Sequence, residues 1–114
     1  VGAIIKSLLF RTGDDFTLCL VAGDKRCSLN KLKEITGKKD VSMATPEDVK
    51  TQTGYTIGGV SPIGHLKKIE IIIDNSLERF NELFAAAGHP NCVFKINLNN
   101  IQKITNGKVK DIVE

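Results

Sequence analysis

The chain has 114 residues, of which 41% are hydrophobic and 25% are charged, and its formal net charge is +3. These values are ordinary for a soluble globular protein and fit one domain that folds around its own core. No apolar run approaches the roughly 20 residues of a membrane-spanning helix. Lys6 and Ser7 interrupt the apolar start, so no signal peptide is visible, and we expect a cytoplasmic protein that does not contact a membrane.

The three cysteines, Cys19, Cys27 and Cys92, are odd in number and show no CxxC spacing. This pattern argues against a disulfide framework and fits a reducing cytosol. The two histidines, His65 and His89, have no metal-ligand spacing with each other or with the cysteines. We therefore predict neither a zinc site nor a cofactor.

No repeat, low-complexity tract or linker divides the chain, so we predict a single domain over residues 1–114. The sequence opens with Val1 rather than methionine. A cut or processed product that lacks an upstream segment is one explanation that the sequence leaves open.

The beginning of the chain predicts a hairpin and a short helix. Residues 3–11 and 16–22 are rich in large apolar side chains and predict two strands, joined by a Gly-Asp-Asp turn at residues 13–15. Ser28 is placed to cap a helix over residues 29–36, which Gly37 ends.

Thr45 marks the start of a second helix. Thr45 is the expected cap, Pro46 suits the first turn, and Asp48 is spaced to bond back to the cap nitrogen. This helix is expected to end by Gly54.

The second half of the chain predicts three strands and one long helix. Residues 69–73 predict a β-branched strand, residues 77–87 the longest helix, and residues 93–96 and 109–113 short strands, with one helical turn at 97–101. The prediction of the long helix is based on an apolar stripe at helical spacing, which consists of Leu77, Phe80, Leu83, Phe84 and Ala87.

Strands and helices do not alternate strictly in this order, which disfavours a doubly wound parallel sheet. We predict an α+β fold in which a mixed, mainly antiparallel sheet curves around a core like a barrel and carries helices on its outside.

Lys6 is the first candidate for chemistry. Strand alternation places it on one face with Ile4, Leu8 and Phe10, where a lysine is costly unless its ammonium reaches water or an anion. One interpretation is a lysine that extends to solvent near the strand end. The other is a cation at the mouth of a pocket, directed at a phosphate or an oxyanion.

The run at residues 54–65 is the second candidate. It holds more glycine than an ordinary turn requires, and glycine lets a backbone approach a ligand closely and point N–H groups at it. A tight connection before the next strand explains the same composition. The candidate ligand-binding residues of this run are Gly58, Gly59, Val60, Ser61, Pro62, Gly64 and His65.

Positive charge is concentrated near the start of the chain, because residues 1–39 hold eight Lys or Arg against four Asp or Glu. Such a basic flank can hold a phosphate backbone through Coulomb attraction and counterion release, or it can be a solvated helix face. Its members are Lys25, Arg26, Lys31, Lys33, Lys38 and Lys39.

Common catalytic signatures are absent from the sequence. There is no GxxxxGK[ST] or GxGxxG run, and residues 59–63 fail the GxSxG pattern at its last position.

The chain resembles the YbaK and prolyl-tRNA-synthetase-insertion family of aminoacyl-tRNA editing domains. Residues 4–10 (IIKSLLF) are similar to the family's lysine strand, residues 43–49 (MATPEDV) to its helix start, and residues 53–65 to its signature loop. The resemblance covers almost the whole chain, with the pieces in the family's order.

The resemblance implies deacylation of a mischarged tRNA, which is bound by its 3′ aminoacyl end. It also makes an aminoacyl-tRNA synthetase a candidate partner. It assigns the family's essential lysine to Lys6 and its Gly-x-x-x-Pro loop to residues 58–62. Family members usually carry a helical segment before the lysine strand, and here only five residues precede Lys6. We therefore expect an editing domain without that segment.

The ester to be cut is labile in water, so positioning and electrostatics can suffice without a side-chain nucleophile. Attack by water and attack by the thiol of a cysteinyl ester both remain open, with Cys and Ala on tRNA for proline as candidate substrates. A module that binds tRNA without catalysis, or a fragment of a synthetase editing domain, is the alternative function.

Overall fold

A five-stranded mixed sheet forms the centre of the protein, as seen in a computed structural model that describes residues 3–56, 59–65, 67–89 and 92–114. The seven strands of the described residues are β1 (Ile5–Thr12), β2 (Asp15–Ala22), β3 (Val41–Met43), β4 (Glu70–Asp74), β5 (Leu83–His89), β6 (Cys92–Ile96) and β7 (Lys108–Lys110).

The strand order in the large sheet is β3-β1-β2-β4-β7. β1 is antiparallel to both β2 and β3, whereas β2 with β4 and β4 with β7 are parallel pairs. β5 and β6 form a separate antiparallel pair, which meets β1 through a bridge between Phe84 and Ile4. The predicted α+β fold with a mixed sheet is confirmed, although the described strands leave the sheet open rather than closed as a barrel.

Among the described residues, three α-helices flank the sheet: α1 (Leu29–Thr36), α2 (Pro46–Thr53) and α3 (Leu98–Thr105). The predicted caps are present: the Ser28 side chain accepts the Lys31 amide, and Thr45 forms a reciprocal capping box with Asp48. In the part of the chain that the structure describes, no helix has both the length and the apolar character needed to cross a membrane.

The prediction of a helix over residues 77–87 is wrong. A short 3₁₀ helix, Asn75–Arg79, follows β4 and is capped by Asp74. The chain then enters β5, whose Leu83 and Ala85 are fully buried while Phe84 between them is only half-buried. Pairing with β6 favours this period of two over the helical stripe, because strand pairing is a non-local interaction that the local pattern does not contain.

Smaller differences concern short elements. β3 was not predicted, since a strand of three residues carries little pattern. The helical turn expected at 97–101 is the full helix α3, and the strand expected at 109–113 is the shorter β7, after which Val113 pairs with Cys27 in an isolated bridge.

Each face of the large sheet buries an apolar cluster. Ile5 and Leu9 of β1 belong to one cluster. Phe10 belongs to the other cluster, against which Leu8 also packs. This alternation assigns Lys6 to the face of Leu8 and Phe10, as predicted, and assigns Ser7 to the face of Ile5 and Leu9.

Candidate active site

The edge of β1 is open at its beginning. On one side β1 pairs with β2 along its whole length, but on the other side β3 reaches only Phe10, Arg11 and Thr12. Ile4 is bridged to Phe84 of β5. Among the described residues, no strand therefore covers the stretch of β1 between these two anchors.

A groove of about 420 Å³ runs along this open edge. Most of its lining is aliphatic, and it draws on β1, the end of β3, α2, the 59–65 segment and the β5–β6 pair. The described lining residues are Ile4, Ile5, Lys6, Ser7, Leu8, Leu9, Met43, Ala44, Val49, Val60, Ala86 and Val93.

Lys6 lines the groove, and its ammonium donates a hydrogen bond of 2.5 Å to the carbonyl oxygen of Lys25. Lys25 lies in the connection between β2 and α1. The side chain is only partly buried, so its charge keeps access to water, as the sequence analysis required of a lysine in this strand.

Val60 brings the glycine-rich segment to the groove, which Lys6 also lines. The Gly59 amide donates to the Thr56 carbonyl at 3.0 Å, so this N–H is already used inside the protein. The amides of Val60 and Ser61 make no hydrogen bond to any described residue. Gly58 lies outside the described residues.

The predicted residues Ser61 and His65 brace the segment. The His65 Nε2 lies 2.6 Å from the Ser61 carbonyl oxygen, and the Ser61 hydroxyl accepts the Ile63 amide at 3.4 Å. Ser61 and Pro62 are both buried. Ser61 and His65 do not belong to the described lining of the groove. Their contacts in this structure are therefore local ones that hold the backbone.

Tyr55 supports the other end of this segment. Its hydroxyl donates to the Ile63 carbonyl at 2.7 Å, and its ring meets His65 edge to face with centroids 6.1 Å apart. Gly64 has a φ of +77°, and a Cβ there would lie 2.8 Å from the Tyr55 hydroxyl oxygen. Gly64 is thus needed both for its conformation and for its lack of a side chain.

Ser7 is a groove residue that the sequence analysis missed. Its hydroxyl oxygen is buried and has no hydrogen-bond partner among the described residues. Buried polar atoms in proteins are nearly always hydrogen-bonded, so an unpaired one inside a groove stands out. The only sequence signal was a serine within an apolar strand, directly after Lys6.

Two members of the basic flank are paired with acidic residues. Lys31 lies 3.0 Å from both carboxylate oxygens of Asp111 and also bonds the Val113 carbonyl, and Lys38 lies 4.0 Å from Asp15.

Other members of the flank lie around a wide depression beside β3. Lys33 and Lys39 line it together with Arg11, and Asp14 and Asp40 lie at the same place. The depression and the groove adjoin opposite ends of the short strand β3.

Cys19 and Cys27 belong to the same apolar cluster, on the face of the sheet to which Lys6 is assigned, and their thiols influence each other's pKa. The interaction with Cys27 and burial raise the pKa of Cys19 far above its usual range, while the interaction with Cys19 lowers the pKa of Cys27, to which the Lys6 charge also contributes. In the described part of the chain, no group of three or more His, Cys, Asp or Glu side chains is placed to hold a metal ion.

The family profile named "Aminoacyl-tRNA editing domain" matches residues 1–104. The chain belongs to this family. A Bacillus subtilis relative of the editing domain, "Uncharacterized protein YwhH", is 36% identical over 110 residues, which cover 96% of this chain and 69% of YwhH.

Two further proteins similar to the editing domain carry descriptions of their activity. "Putative Cys-tRNA(Pro)/Cys-tRNA(Cys) deacylase EbsC" of Enterococcus faecalis is 28% identical, over 97% of this chain and 68% of its own. A crystal structure described as "a putative trans-editing enzyme for prolyl tRNA synthetase" superimposes with a TM-score of 0.96 at 36% identity, over all of this chain and 72% of that one. The suspected family membership is thereby confirmed.

Proposed function

We propose that this editing domain is a trans-acting aminoacyl-tRNA deacylase of the cytoplasm. It hydrolyses the ester between a wrong amino acid and the 3′-terminal ribose of a tRNA, with cysteinyl- or alanyl-tRNA(Pro) as its substrates. The observation that carries the proposal is the groove that Lys6 and Val60 both line, in a chain of the editing family. The names of EbsC and of the trans-editing enzyme support the choice of tRNA.

The chemistry requires no side-chain nucleophile, because an aminoacyl ester is already reactive toward water. Water adds to the carbonyl carbon, the bond from that carbon to the ribose oxygen breaks, and the ribose hydroxyl leaves with a proton. With a cysteinyl ester, the substrate's own thiol is the alternative attacking group. The protein then contributes position and a favourable field for the developing oxyanion.

The amides of Val60 and Ser61 are the N–H groups of the segment that we assign to the ester oxygen. The Gly59 amide is unsuited, since it already donates to Thr56. A backbone N–H held in a braced segment stabilises an oxyanion without having to reorganise during the reaction. Ser61 and His65 act by holding this backbone in place through their local hydrogen bonds.

Lys6 is assigned to the phosphate or the carbonyl region next to the terminal adenosine. In the free protein its ammonium bonds the Lys25 carbonyl, a neutral acceptor. An anionic group entering the groove makes a stronger hydrogen bond with an ammonium than a neutral carbonyl does. Substrate binding is therefore expected to draw Lys6 away from Lys25.

The alternative function is a module that binds tRNA without cleaving it, or a part of a synthetase's editing domain. The observation that favours it is that the Lys6 ammonium and the Gly59 amide are both engaged inside the protein.

The test compares Lys6→Ala with the parent in single-turnover hydrolysis of cysteinyl- and alanyl-tRNA(Pro). We expect the substitution to lower the rate by at least about 100-fold, the loss typical of removing one preorganised electrostatic group. The melting temperature should change little, because Lys6 is partly exposed and makes a single hydrogen bond. Lys103→Ala, which removes an exposed lysine of α3, is the matched control and should match the parent.

Equal rates for Lys6→Ala and the parent would remove Lys6 from the mechanism. If the parent protein binds the mischarged tRNA but does not hydrolyse its ester, the result would favour the binding module.

A further inference from the structure

Ser7 presents its backbone as well as its hydroxyl to the groove. The Leu9 carbonyl accepts the Ala44 amide at 3.0 Å, and the Ala3 carbonyl accepts the Phe84 amide at 2.9 Å, so both residues direct their backbone groups to the open side of β1. Backbone groups of every second residue in a strand point to the same edge. The N–H and C=O of Ser7 therefore point to that edge, where no described strand pairs with them.

The side chain of Ser7 adds a third polar group at this place. Its hydroxyl oxygen is buried without a partner, and its nearest neighbours along the strand on that face are the aliphatic Ile5 and Leu9. An unpaired buried hydroxyl is costly, and a ligand that supplies the missing hydrogen bond recovers that cost.

We propose that Ser7 is a positioning and specificity residue that holds the α-amino group of the substrate's aminoacyl moiety. This inference rests on the proposed function. The aminoacyl group adds to the open edge of β1 as one residue of a neighbouring strand does. Its amino group donates to the hydroxyl and carbonyl oxygens of Ser7, and its ester carbonyl accepts from the Ser7 amide at that edge as well as from the amides of Val60 and Ser61 across the groove.

The chemistry of an aminoacyl ester fits this arrangement. It carries an N–H donor and a C=O acceptor on either side of one α-carbon, which is the pattern that a strand edge recognises. The aliphatic groove around Ser7 then receives a small side chain, such as that of alanine or cysteine. An acyl group without an α-amino group leaves the Ser7 hydroxyl unpaired and is discriminated against.

The experiment measures kcat and KM of the parent, Ser7→Ala and Ser7→Thr on alanyl-tRNA(Pro) and on propionyl-tRNA(Pro), which lacks the amino group. We expect Ser7→Ala to lower kcat/KM for the alanyl ester by about tenfold or more, the worth of one hydrogen bond to a charged group. The propionyl ester should be cleaved equally by Ser7→Ala and the parent. Ser7→Thr keeps the hydroxyl and should restore most of the activity.

Thermal unfolding separates positioning from a structural role. The Ser7 hydroxyl has no partner among the described residues, so Ser7→Ala should melt at the parent's temperature or above it. Equal activity of Ser7→Ala and the parent on the alanyl ester would overturn the inference. Parallel losses on both esters together with a lower melting temperature would also overturn it, in favour of a structural serine.

A binding measurement keeps this inference distinct from the proposed function. The probe is adenosine with alanine attached to its 3′ position through an amide, which is not readily hydrolysed, titrated by calorimetry. Weaker binding by Ser7→Ala supports the role of Ser7 even if the parent hydrolyses no ester. Equal binding by both proteins contradicts it even if the parent is an active deacylase.

Discussion

Lys6 and Ser7 are neighbours in sequence, yet strand alternation assigns their side chains to opposite faces of the sheet. The Lys6 ammonium bonds the connection after β2, whereas the Ser7 hydroxyl lies unpaired at the groove. Lys6 stood out in the sequence because a charged residue in an apolar strand is unusual. Ser7 did not, because whether a serine hydroxyl has a partner depends on residues far away along the chain.

Gly64 allows a residue-scale prediction about the braced segment. Gly64→Ala should lower the free energy of unfolding by about 1–3 kcal/mol, since the alanine is strained at positive φ and its methyl group meets the Tyr55 hydroxyl at 2.8 Å. Urea denaturation measures the change.

Gly37→Ala is the matched control for this variant. Gly37 also has a positive φ, of +72°, but no atom lies within 4 Å of a Cβ built there. Gly64→Ala should therefore be the more destabilising of the two. Equal destabilisation would show that the contact with Tyr55 is unimportant.

The capping box of α2 carries a prediction at the scale of the element. Thr45→Ala removes the acceptor for the Asp48 amide and should lower the free energy of unfolding by about 1 kcal/mol. Thr51→Ala, at an exposed position of the same helix, should be neutral or slightly stabilising because alanine is the better helix former. A cap variant as stable as the parent would contradict the assignment.

The ion pair of Asp24 with Arg79 links the connection after β2 to the 3₁₀ helix. The hydrogen bond from Arg79, at 3.0 Å, lowers the pKa of Asp24 in the folded protein. Because this pKa is lowered, the ion pair stabilises the folded protein at pH values above the ordinary pKa of a carboxyl group. This contribution is lost as the pH falls through the lowered pKa.

Asp24→Asn tests this pH dependence. The stability difference between the parent and Asp24→Asn should be small at pH 7, since the pair is exposed, and should disappear by about pH 2. Urea midpoints of both proteins across this range provide the measurement. If the stability difference between the two proteins stays constant with pH, the charge of Asp24 does not contribute to that difference.

The elements that sequence predicts well are those whose signals are local. The hairpin of β1 and β2 and the capped helices α1 and α2 follow from turn residues, caps and helix stops. The helix predicted over residues 77–87 is wrong because its apolar stripe satisfies a helix and a strand about equally, and the choice depends on pairing with β6, which lies outside that segment. A pocket beside Lys6 could be predicted, but its position and the part of Ser7 in it could not, since the groove exists where β3 stops short of Ser7.

At the scale of the whole molecule, the structure divides the basic flank. Lys31 is bound to Asp111 and Lys38 lies near Asp15, whereas Lys33 and Lys39 line the depression next to the groove, together with Arg11 from outside the flank. We expect the phosphates of the tRNA 3′ strand to cross this depression, with β3 leading to the groove.

Replacing Arg11, Lys33 and Lys39 together with Gln should raise KM for the mischarged tRNA and make KM less dependent on salt. The loss in slope should be roughly 0.7 per phosphate contact removed, as for single-stranded nucleic acid. The single-turnover rate at saturating tRNA should stay unchanged, because uniform binding does not lower the chemical barrier. Lys31→Gln serves as the control. If KM depends on salt with the same slope in the parent and in the triple variant, the tRNA binds elsewhere.

We propose above all that this chain cleaves the ester of a mischarged tRNA. Multiple-turnover hydrolysis by the parent protein, measured on cysteinyl-, alanyl- and prolyl-tRNA(Pro), tests it most directly. We expect many turnovers on the cysteinyl or the alanyl ester, and hydrolysis of the prolyl ester no faster than without protein. Rates equal to the protein-free rate on all three substrates would contradict it.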